Sequence, residues 1–136
     1  MKVRGDYALV VVAQKDFSQA VEQYRRILEA QPESVEAMSN LAWLLATSTD
    51  PAVRDVPAAM SLVQRAADRA GGREAGVLDT LAVVYAEAGQ FDRAVETASK
   101  AVELALDAGQ RDYAEQLRNR LALFRQAKPL SQVPRP

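Results

Sequence analysis

The chain has 136 residues, a formal net charge of −1, 49% apolar and 26% charged residues, and neither His nor Cys. Without Cys there is no thiolate nucleophile, disulfide or Cys-based metal centre, and without His the commonest general base and metal ligand are missing. The near-neutral balance speaks against a generic nucleic-acid or membrane-surface binder, and no run reaches the roughly 18–20 apolar residues of a membrane span.

Twenty-five Ala, with abundant Leu, Glu, Gln and Arg, favour helix. Apolar residues recur at three- and four-residue intervals rather than in alternation. A first helix is expected over about 3–14, weakened by the β-branched run Val10-Val11-Val12. A second covers about 17–30, with Asp16 as N-cap and Pro32 beyond its end. The third, about 34–47, starts on Ser34 and carries the stripe Met38, Leu41, Ala42 and Leu45, one helical face. A loop from Ser48 leads to Pro57, which suits a first helical turn. The fourth helix, about 57–70, stops at Gly71-Gly72. The fifth, about 74–88, stops at Gly89, and the sixth, about 91–108, at Gly109. A seventh runs over about 111–127. The segment 129–136 has three Pro in eight residues and reads as a flexible tail. The fold class is all-α, and residues 1–128 form one domain.

An internal repeat organises these helices. Lys15-Asp16-Phe17-Ser18-Gln19-Ala20 corresponds to Gly89-Gln90-Phe91-Asp92-Arg93-Ala94, with ring and methyl on one helix face. Ala59 holds the equivalent place between them. Along the first helix of a unit run Met38, Leu41, Ala42 and Leu45, then Leu78, Leu81, Ala82 and Tyr85. Along the second run Ala20, Tyr24, Ile27 and Pro32, then Ala59, Val63 and Ala66, then Ala94, Ala98 and Ala101. Small residues at these places let helices approach closely.

This pattern resembles the tetratricopeptide repeat (TPR) family over roughly residues 5–127. The loop-bearing middle unit and final helix are similar to the C-terminal end of long bacterial proteins of that family. The resemblance implies a right-handed α-solenoid of three helix pairs, about 1–34, 35–73 and 74–108, with a capping helix at 111–127. It also implies a concave groove lined by Glu36, Ser39, Asn40, Trp43 and Thr47 of the second unit and Asp79, Val83 and Glu87 of the third. In the first unit, Leu9, Val12 and Ala13 are the nearest equivalents.

Trp43 follows the Leu41/Ala42 packing pair, so helical geometry turns it toward the groove as an anchor for a peptide. Alternatively it covers the loop 49–56 or packs on a neighbouring helix. Asp79 and Glu87 lie two turns apart on one face. They read as polar lining suited to basic or hydrogen-bond-donating ligands, with Asp79 alternatively bonded inside the stack. No His, metal-ligand cluster or Gly-rich phosphate loop accompanies them, so no catalytic residue, cofactor or metal is expected. The Lys/Asn/Arg clamp by which some members of the family grip a terminal carboxylate is missing. On the last helix Tyr113, Leu117, Leu121 and Phe124 should face the sixth helix. Arg111, Arg118 and Arg125 form a separate stripe, read as a solvated face ahead of a phosphate-binding one.

The expected function is protein–protein interaction, with a partner segment laid in the groove. The alternative is a structural or oligomerisation module, self-associating through Leu9, Val10 and Val12 or stacking on upstream repeats. No secretory signal pattern opens the chain, which makes the cytoplasm the expected location.

Overall fold

The computed structural model describes residues 17–132. Among the described residues there are six α-helices, one 3-10 turn and no strand. The helices are α1 (Phe17–Ala30), α2 (Val35–Thr47), α3 (Val56–Ala70), α4 (Ala75–Glu87), α5 (Phe91–Asp107) and α6 (Arg111–Arg125). The 3-10 turn covers Leu130–Gln132. The described part of the chain is thus all-helical, with boundaries within two residues of the sequence expectation. The expected helix over 3–14 and the Asp16 cap lie outside the described residues, as do Leu9, Val10 and Val12.

Local chemistry explains where the helices begin and end. Ser34 caps α2 by accepting from the Ala37 N–H at 3.2 Å. Asp55 does the same for α3 toward Ala58 at 3.0 Å, one residue before the position that Pro57 alone suggested. Each cap satisfies an N–H that the helix leaves without an internal partner. Gly71 ends α3 at φ 68, a left-handed conformation that a side chain disfavours.

Packing follows from how each helix distributes its apolar residues. Helix α2 buries ten of its 13 residues and α4 nine of 13, so both are central. Helices α3 and α5 bury only one stripe each: Ala59, Val63 and Ala66, and Ala94, Ala98, Ala101, Val102 and Ala105. Each helix packs on its neighbours in sequence, and α2 packs also on α4. Ala42, Ala59, Ala82, Ala94 and Ala101 are all fully inaccessible. These small residues permit the close helix contacts that the repeat analysis assigned to them.

The long connection between α2 and α3 folds back instead of looping outward. Val53 is buried, the Asp55 N–H donates to the Leu45 carbonyl at 2.9 Å, and the Arg54 guanidinium donates to the Ala46 carbonyl. Arg54 is thereby held at the C-terminal end of α2, close to the end of α4.

Candidate functional site

A cavity of about 950 Å³ opens between α2, α4 and α6. It exists because α6 stands away from α4 and is tied to it by long side chains. The Tyr113 hydroxyl donates to Asp79 Oδ2 at 3.2 Å, and the Arg120 guanidinium donates to the same oxygen. Asp79 projects from a largely inaccessible surface of α4, with 8% of its side chain exposed. Arg120 also lies over the Trp43 ring, 4.9 Å from its centre. One guanidinium therefore neutralises a buried carboxylate and covers an aromatic face.

Five of the expected groove residues line this cavity: Glu36, Ser39, Asn40, Trp43 and Asp79. They differ sharply in what they can offer a ligand. Glu36 is exposed at the rim. The buried Ser39 hydroxyl donates to Thr80 Oγ1 at 2.9 Å, and Thr80 in turn donates to the Gly76 carbonyl at 3.1 Å. Those two hydroxyls hold α2 against α4. Asn40 is half-buried, with its amide beside the Tyr24 phenol of α1.

Trp43 takes the packed alternative and not the open anchor, being only 8% exposed. It belongs to an apolar cluster with Val83, Ala86, Leu121 and Phe124. The register correctly turned the indole away from the Leu41/Ala42 side. Its cover comes from α6, which the spacing within α2 does not reveal.

Three expected groove residues do not reach the cavity. Thr47 is buried, its hydroxyl donating to the Trp43 carbonyl at 2.8 Å. Val83 is fully enclosed in the apolar cluster. Glu87 is enclosed too, but in a polar setting. Its side chain has no exposed surface, and Arg54 Nη2 donates to Oε1 at 3.0 Å. The Ser131 N–H donates to Oε2 at 2.8 Å and the Ser131 hydroxyl to Oε1 at 2.5 Å.

Sequence reasoning missed Arg73, Glu74, Asp112 and Arg120 at this site. Arg73 and Glu74 lie in a turn without periodicity, while Arg120 stands off both stripes recognised on the last helix. Of the apolar stripe, Leu117, Leu121 and Phe124 are buried while Tyr113 is half-buried with its hydroxyl on Asp79 of α4; Arg111, Arg118 and Arg125 are exposed. The lining carries four carboxylates, Glu36, Glu74, Asp79 and Asp112, against two guanidinium groups, Arg73 and Arg120. Arg120 is committed to Asp79, so the remaining lining has an acidic excess. Among the described residues no group of three side chains is placed to hold a metal ion, and no helix is long and apolar enough to cross a membrane. The sequence matches no protein-family model and no curated protein.

Proposed function

We propose that this chain is a protein–protein interaction module: a right-handed, TPR-like α-solenoid that receives a partner segment in a concave groove. Two features support the solenoid reading. The contacts step along the chain from each helix to the next, and α2 and α4 also pair as the inner helices of successive units would. On this reading α6 is the capping helix, and the cavity between α2, α4 and α6 is the groove.

The observation that carries the binding reading is the cavity itself, about 950 Å³ and ringed by polar side chains over an indole. Its acidic excess suits a segment bearing Lys or Arg side chains or a cluster of N–H donors. Binding then arises from shape and hydrogen-bond complementarity on a surface already formed, with no chemical step and no cofactor. A chain free of His and Cys accords with that role.

The test reverses charge at two exposed rim residues, Glu36→Lys with Asp112→Lys. Partners captured by the wild-type chain and identified by mass spectrometry should be lost by the double variant, with the helical circular dichroism signal unchanged. Equal recovery by both chains would show that the cavity is not the docking site.

A further inference from the structure

The stretch that follows α6 turns back onto the fold. Ala127 takes φ 57, and the N–H groups of Ala127 and Lys128 return to the Phe124 and Leu123 carbonyls at 3.0 Å each. This reversal buries Pro129 and lays Leu130 against the apolar cluster that contains Trp43, Val83 and Ala86. The 3-10 turn rests on α4. One residue beyond Leu130, the fully enclosed Glu87 carboxylate accepts both polar groups of Ser131, as described above.

These parts make a receptor with three distinct readings of a segment. The buried place of Pro129 selects a residue with no N–H to satisfy. The apolar cluster selects the next side chain. Glu87, oriented by Arg54 from the α2–α3 connection, selects a backbone N–H and a hydroxyl that leave together from the residue after it. A carboxylate without solvent contact is stable only when charge and hydrogen bonds reach it, so the subsite is complete only when such a residue is present.

We propose that the enclosed Glu87 carboxylate and the apolar cluster beside it form a subsite next to the groove for Pro–apolar–Ser/Thr segments of a partner protein, filled in the isolated chain by its own Pro129-Leu130-Ser131. The proposal rests on the groove-binding reading and adds to it a sequence preference and a competitor built into the chain. Trp43 and Arg120 border the open cavity, and Trp43 shares its cluster with the contacts of Leu130. A partner segment running through the cavity therefore meets the docked tail at the next step. Because the tail is tethered a few residues from α6, its effective concentration is of millimolar order. A partner displaces it only when the cavity contributes binding as well.

The experiment uses the full chain with Leu130→Asp, which expels the tail, and a labelled pentapeptide Lys-Pro-Leu-Ser-Gln followed by fluorescence anisotropy. The peptide should bind Leu130→Asp at least about tenfold more tightly than wild type, reflecting the tethered competitor. Adding Glu87→Gln, or replacing the peptide's Ser by Ala, should each weaken binding by about tenfold, the scale of a hydrogen bond to a charged group. Should Leu130→Asp lose its helical signal, Ser131→Ala in the full chain gives the same comparison with a smaller gain. Equal peptide binding by wild type and the tail variants, or indifference to the peptide's Ser, overturns the proposal. The charge-reversal test at Glu36 and Asp112 reads the open cavity separately, so either result can fail alone.

Discussion

The Arg120 guanidinium lies 4.9 Å above the centre of the Trp43 ring while its Nη1 donates to Asp79. Three elements meet there, since Trp43 belongs to α2, Asp79 to α4 and Arg120 to α6. The exposures are unequal: 18% of the Arg120 side chain reaches water against 8% of Asp79. Removing either partner therefore has different consequences.

Arg120→Ala leaves the enclosed Asp79 carboxylate without its cation and should cost about 3 kcal/mol of stability. Asp79→Asn keeps an acceptor for Tyr113 and lets Arg120 turn toward water, so it should cost about 1–2 kcal/mol. Urea unfolding followed by circular dichroism gives both values. Trp43 is the only tryptophan, so its emission should shift to longer wavelength in Arg120→Ala and little in Asp79→Asn. Equal losses in the two variants would mean that the pair is effectively exposed.

Tyr24 of α1 ties stability to alkaline pH. Burial raises its phenol pKa above the ordinary tyrosine value; the Asn40 amide beside it acts in the other direction, and the Glu36 charge adds to the rise. The folded chain therefore holds the phenol proton at a pH where the unfolded chain has lost it. Its contribution is intact below about pH 10 and falls as pH rises through that range. Tyr24→Phe should make the urea midpoint fall less between about pH 8 and about pH 11 than in wild type, other tyrosines being common to both chains. Parallel falls in the two chains would remove Tyr24 from the account.

Much of the helical frame was legible because its punctuation is local. Ser34, Gly71, Gly89 and Gly109 each stop or start a helix through groups within a few residues, and the caps are where the spacing places them. The site was less legible because its decisive contacts are distant in sequence. Asp79 pairs with Arg120 across 41 positions, and Glu87 is reached by Arg54 across 33 and by Ser131 across 44. Face assignment within one helix put Asp79 and Glu87 together, yet only Asp79 lines the cavity. Whether each stays open depends on what another element brings over it, which no single-helix period encodes. The proline content of the tail read as a flexible end, whereas Leu130–Gln132 form a 3-10 turn against α4. It gave no sign that Pro129 would be buried or that Ser131 would meet a waiting carboxylate.

The alanines at helix crossings make a direct contrast. Ala82 is fully inaccessible, whereas Ala122 on α6 is exposed. Ala82→Leu forces three extra heavy atoms into a close-packed contact and should cost about 1–3 kcal/mol. Ala122→Leu should stay within about 0.5 kcal/mol of wild type. Thermal unfolding of the two variants separates them, and similar midpoints would show that the crossing at Ala82 has room to spare.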